Sequence, residues 1–106
     1  MAEFTIDVVD TVQRVTARVG DSVWLCLTES PTTGYLWSRT GTLPPNLIER
    51  RSEHRRLSPA MGGAAQRCFL YSCLGPLSAE MTFALSRSWE PDKIEREARV
   101  LFECTP

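Results

Sequence analysis

Apolar residues recur at every second position through one short run after another, and nowhere in the chain do they take the three-and-four spacing of a helix. Turn signals separate the runs. The clearest run is Ser22 to Thr28, where Val23, Leu25 and Leu27 share one face while Trp24 and Cys26 share the other. A strand apolar on both faces belongs at the centre of a sheet with cover on each side. Phe4, Ile6 and Val8 alternate as an edge strand, and Gln13 to Val19 is expected to continue that edge before Val19-Gly20-Asp21 turns the chain. Leu36 to Arg39 is a return strand anchored by Trp37, and Gln66 to Cys73 sets Phe69 and Tyr71 against Cys68 and Leu70. Glu80 to Ser86 points Met81, Phe83 and Leu85 inward; Ala98 to Cys104 does the same with Val100 and Phe102, after a polar loop through Lys93 and Glu95. The charged segment Leu47 to Leu57 reads as a solvated strand or loop in which acids offset bases. Seven to eight short strands of this kind predict an all-β, immunoglobulin-like antiparallel β-sandwich. At 106 residues the whole chain, 1–106, is expected to be a single domain.

Three connections are more elaborate than turns need to be. Ser30-Pro31-Thr32-Thr33-Gly34-Tyr35 mixes rigid, hydroxylated and aromatic side chains, where a bare corner asks only for a glycine and an entry proline. Pro59-Ala60-Met61-Gly62-Gly63 is a small-residue loop, and Arg87-Ser88-Trp89-Glu90 carries two residue types that often anchor interfaces. Each alone has a plain structural reading as a corner, a flexible loop or a rim aromatic. Their placement argues for more. If successive strands reverse direction, the connections after the second, fourth and sixth lie at the same end of the sandwich, so strand parity gathers all three.

These loops also carry a resemblance. Ser30-Pro31-Thr32-Thr33-Gly34-Tyr35 resembles the Asn-Pro-Thr-Thr-Gly-aromatic loop of the chagasin-type inhibitors of papain-like cysteine peptidases. Pro59-Ala60-Met61-Gly62-Gly63 resembles that family's Gly-x-Gly-Gly loop, and Arg87-Ser88-Trp89-Glu90 its Arg-Pro-Trp loop, in the same order over nearly the whole chain. The resemblance implies a reversible proteinaceous inhibitor of papain-family, cathepsin L-like peptidases, monomeric when free. It implies a first loop lying over the catalytic cysteine, a second pairing through its backbone beside the substrate subsites, and a third packing on the far wall. The peptidase-binding set is then Ser30, Pro31, Thr32, Thr33, Gly34, Tyr35, Met61, Gly62, Gly63, Arg87, Ser88 and Trp89, with Tyr35 and Trp37 serving chiefly as scaffold. Two positions depart from the pattern. Ser30 replaces an asparagine whose amide would brace the loop, and Ser88 replaces a proline, freeing the backbone and adding a donor. A recognition or adhesion module using the same loops on a partner that is not a peptidase is the alternative, and loss of peptidase turnover separates the two. A structural domain detached from a larger assembly is a third reading.

Other functions find little support. A formal net charge of -1, with Lys93 the sole lysine, gives no electrostatic case for nucleic acid or anionic membrane. The one histidine, His54, lies in the charged segment with no nucleophile motif beside it, so an enzyme is not expected and a solvated polar role is. No cofactor loop or metal spacing occurs. Cys26, Cys68, Cys73 and Cys104 allow two disulfides or none, except that residues 68 and 73 cannot bridge within one strand. Free, mostly buried thiols are the expected state, from the burial habits of cysteine. With no signal-peptide pattern at the amino terminus, those thiols favour the cytoplasm over a secreted or periplasmic location.

Overall fold

The computed structural model describes residues 1–29, 33–56 and 65–106. Eight strands, β1 (Glu3–Asp7), β2 (Val12–Arg18), β3 (Ser22–Glu29), β4 (Tyr35–Thr40), β5 (Leu47–Arg56), β6 (Ala65–Cys73), β7 (Leu77–Arg87) and β8 (Glu90–Thr105), form two four-stranded sheets. Their orders are β1-β3-β6-β5 and β2-β8-β7-β4, an immunoglobulin-like sandwich as the alternation implied. Val23, Leu25, Leu27, Phe69 and Tyr71 of one sheet meet Trp37, Met81, Phe83, Val100 and Phe102 of the other in the core. Trp24, Cys26, Cys68 and Leu70 make a second cluster on the outer face of the first sheet, with the Arg55 guanidinium 4.5 Å above the Trp24 ring. Long charged side chains thus cover apolar surface that the sheet leaves outside. Among the described residues no helix is long and apolar enough to cross a membrane.

Three expectations change. The first two runs are not one edge: β1 pairs parallel to β3 in one sheet, while β2 pairs parallel to β8 in the other. The chain switches sheets between them, so each sheet gains an edge strand. The polar segment through Lys93 and Glu95 is strand, not loop, because β8 begins at Glu90 and pairs with the end of β7. The cysteines are not free. Cys26 and Cys68 are register partners on neighbouring strands with Cα atoms 4.1 Å apart, and they are bonded. Cys73 of β6 is bonded to Cys104 of β8 across the two sheets, Cα to Cα 6.2 Å. Burial habit does not distinguish a thiol from a half-cystine, and the strand register that aligns both pairs is invisible to local pattern. The thiol argument for a reducing compartment falls with this correction.

Two polar clusters fasten the sandwich away from its ladders. Tyr71, fully buried, donates its hydroxyl to Glu49 Oε1 at 2.9 Å, and Arg39 Nε of β4 lies 3.5 Å from the same oxygen, so the cluster spans both sheets. Burial, reinforced by the Glu49 carboxylate, pushes the Tyr71 phenol well above its ordinary value. At the β2–β3 turn, Asp21 accepts the backbone N–H groups of Arg18 at 3.0 Å and Ala2 at 2.8 Å. Those bonds hold its carboxyl below the ordinary value of 3.8. A depressed folded-state pKa stabilises the fold above the unfolded value and loses that contribution as pH falls through the folded one. Thermal midpoints followed by circular dichroism from neutral pH to below 3.8 are therefore expected to fall at the acid end. Asp21→Asn should lower the neutral midpoint and flatten the acid decline; an unchanged decline in that variant would assign it to other carboxylates.

Candidate functional site

Strand direction gathers one set of connections at one pole. β3, β5 and β7 all run toward it, so the ends of these strands, the starts of β4 and β6, and the β7–β8 turn share that end. Ser30, Pro31, Thr32, Met61, Gly62 and Gly63 lie outside the described residues. Thr33, Gly34, Tyr35, Arg87, Ser88 and Trp89 are described, and they form one contact group.

The third loop is a two-residue hairpin. Arg87 and Glu90 are register partners, which leaves Ser88 and Trp89 as the turn. Neither takes a positive φ, so this is not one of the primed turns whose twist matches flanking strands. The β7–β8 pairing correspondingly shifts register between Leu85 and Ser86 and again between Ser86 and Arg87. Such bulges re-aim side chains next to a turn. Trp89 is left 66% exposed, the most exposed aromatic among the described residues.

One edge of that indole rests on the first loop. A Cβ added at Gly34 would lie 2.5 Å from Trp89 Cη2 and within 3.4 Å of two further ring atoms. Gly34 also sits at φ 81, which side chains disfavour. Two independent constraints thus require glycine here. Tyr35 N–H reaches Thr33 Oγ1 at 3.5 Å, closing the loop's last turn.

Arg87 holds the two loops together. Its Nε donates to the Thr33 carbonyl at 3.1 Å, and its guanidinium stacks 4.4 Å over the Tyr35 ring and 5.7 Å from Trp89. Glu90 Oε1 lies 3.7 Å from Arg87 Nη1, while Lys93 Nζ meets the other Glu90 oxygen at 2.9 Å. Arginine suits this place because its planar fork stacks and donates at once. Tyr35 is the cross-strand partner of Arg87.

Sequence reasoning missed what lies behind these loops. Leu36, His54, Arg56 and Ala65 join Gly34, Ser88 and Trp89 around a shallow recess. Glu29 is buried at the end of β3, where one oxygen accepts the Trp37 backbone N–H and the other lies 2.9 Å from His54 Nδ1. His54 therefore has fixed partners in place of the purely solvated role expected of it. The missed signal was Glu29, a charge between an apolar strand and a loop, which local pattern reads as solvated. Among the described residues no cluster of His, Cys, Asp and Glu is placed to hold a metal ion.

The family model described as Chagasin family peptidase inhibitor I42 matches residues 16–103. No curated protein matches the chain. The fold is similar to that of the cysteine protease inhibitor EhICP2 from Entamoeba histolytica, with TM-score 0.76 and 17% identity over 97% of this chain and 96% of that one. It is also similar to Amebosin in solution, at TM-score 0.66 and 16% identity over 94% of this chain and 97% of that one. PbICP-C, solved in complex with falcipain-2, has TM-score 0.59 and 15% identity over 95% of this chain and 97% of that one. At such identities the likeness is one of fold.

Proposed function

The chain belongs to the chagasin family of peptidase inhibitors, and we propose that it inhibits papain-like, cathepsin L-like cysteine peptidases reversibly, by filling their active-site cleft with three loops. The family is one of inhibitors, so the chain is not an enzyme. The proposed unit is a single domain, 1–106, acting as a monomer on one peptidase.

In this reading Ser30, Pro31, Thr32, Thr33 and Gly34 lie over the catalytic cysteine and offer no scissile bond in reactive geometry. Met61, Gly62 and Gly63 run beside the subsites through backbone hydrogen bonds, as a glycine edge permits. Trp89 and Ser88 meet the far wall. Arg87, turned onto Thr33, Tyr35 and Glu90, shapes the wedge more than it touches the partner. Occlusion, not chemistry, stops the peptidase.

The observation that carries the reading is the join between first and third loops. A large, exposed aromatic stands at the tip of the sandwich, set against Gly34 and fixed there by Arg87. Loops already held in the bound shape avoid about 0.5–1.5 kcal/mol of ordering cost per side chain, which lets an interface of standard size bind tightly. PbICP-C, similar in fold, is known in complex with falcipain-2, which supports a peptidase as the partner.

Titration of papain with the purified domain, followed by hydrolysis of a fluorogenic peptide, tests the proposal. Tight one-to-one loss of activity that reverses on dilution is expected. A folded, β-rich domain that leaves papain fully active at micromolar concentration would refute it.

A further inference from the structure

β4 and β5 are edge strands, one in each sheet, and the Arg39–Glu49 pair places both edges on the same side of the sandwich. At the loop pole the recess behind Trp89 opens between them. Leu36 of β4 and Ala65 of β6 give it an apolar lining, and the Trp89 ring, resting on Gly34, forms the wall it shares with the first and third loops. Leu36 is 36% exposed and Trp89 more so, which leaves apolar surface open beside the tip. Concave apolar surface of this kind is what the anchor side chain of a partner fills.

The rest of the lining is basic. His54, Arg55 and Arg56 of β5 contribute to it, and no carboxylate does. Two of these three groups already have company. Arg55 Nη2 lies 3.2 Å from Glu53 Oε1 with its guanidinium over the Trp24 ring, and His54 has the enclosed Glu29 on one side and Arg67 on the other. Arg56 is exposed, with no ion pair or hydrogen bond among the described residues. In the third loop, by contrast, Arg87 and Lys93 both meet Glu90. Arg56 is thus the cation around Trp89 that is left for a partner.

We propose that this recess is an anchor site for the peptidase, taking an apolar side chain that projects from the cleft wall beside a carboxylate, with Leu36 and Arg56 as specificity-determining residues. This deepens the three-loop reading above and rests on it. The apolar side chain lies between Leu36 and the Trp89 ring, and Arg56 meets the carboxylate at the rim. Because the recess is continuous with the exposed face of Trp89, one partner covers both. The two contacts act on different rates, a filled pocket on dissociation and a rim charge on association and its salt dependence.

Progress curves of papain inhibition separate those rates. Leu36→Asn, which sets an unpaired polar group in the apolar lining, should weaken inhibition about tenfold through faster dissociation. Arg56→Glu should slow association about tenfold at low salt and far less near 1 M, where charges are screened within about 3 Å. Ser38→Asn, on the same face of β4 but outside the recess, should leave both rates unchanged. All three positions are at least partly open to water, and thermal melts confirm that the fold is kept. Wild-type dissociation in Leu36→Asn, or an equal change in Ser38→Asn, overturns the apolar anchor. Wild-type association in Arg56→Glu, or a loss that persists at high salt, overturns the carboxylate. An unaltered domain that leaves papain active sinks the inhibitor reading and this site with it, whereas a potent domain whose variants match it sinks the site alone.

Discussion

Replacing Trp89 by alanine is expected to weaken papain inhibition by about 2 kcal/mol or more, roughly thirtyfold in the inhibition constant, with the fold intact. The magnitude follows from exposure. A tryptophan carries on the order of 150–250 Å² of surface, and two-thirds of it is still open to water here, leaving roughly 100–160 Å² for a partner to cover. At about 25 cal/mol per Å² that is roughly 2.5–4 kcal/mol before ordering costs. Those costs are small, because the ring already rests on Gly34 and beside Arg87. Stability should hardly change, since a residue in a two-residue turn with most of its surface exposed has little burial to lose. Gly34→Ala gives the matching test of position. Its Cβ would collide with the indole, and its φ is strained, so inhibition should weaken although Trp89 remains. Inhibition constants for the two variants, with thermal melts as the control, check both statements. Wild-type potency in Trp89→Ala would remove the third loop from the interface.

Much of this arrangement is legible in the chain because alternation and parity are local. Val23, Leu25 and Leu27, then Phe69 and Tyr71, announce two central strands by their own spacing, and their order fixes which connections share a pole. Sheet membership of the edges is different. Phe4 and Ile6 alternate just as Val15 and Ala17 do, and the pattern is the same whichever sheet receives them. The start of β8 gives no alternation at all. Residues from Pro91 to Glu97 are exposed on both faces, and what makes them strand is their pairing with β7. Cysteine pairing fails for a related reason, since partners 42 and 31 residues apart meet only through register. At the site, the motif residues were visible as residue types. That Gly34 is a seat for Trp89, and that Glu29 faces inward, are tertiary facts that no window of sequence contains.

Removing the Cys73–Cys104 bond by a double alanine substitution is expected to lower the unfolding free energy by about 4 kcal/mol, from the entropy of closing a 31-residue loop in the unfolded chain. That is a large part of the roughly 5–15 kcal/mol typical of a folded domain. Both cysteines are buried in the main core, so the lost sulfurs add to the entropy rather than offset it. Loop length alone predicts nearly the same figure for Cys26–Cys68, whose 42 residues add only a few tenths of a kcal/mol. Location separates the two. Cys26–Cys68 joins strands that a ladder already pairs, whereas Cys73–Cys104 ties one sheet to the other at the pole opposite the three loops. Urea titration should show the fall in midpoint, and a change below about 1 kcal/mol would sink the argument. Inhibition measured well below the new midpoint should stay at the wild-type constant, because Trp89, Gly34, Arg87 and Thr33 take their geometry from bonds at the other end. Trp89→Ala and the double cysteine variant should thus fail in opposite ways, one in potency with its stability kept and one in stability with its potency kept. A cysteine variant that lost potency while folded would mean that the loops owe their spacing to the far pole, not to the contacts among themselves.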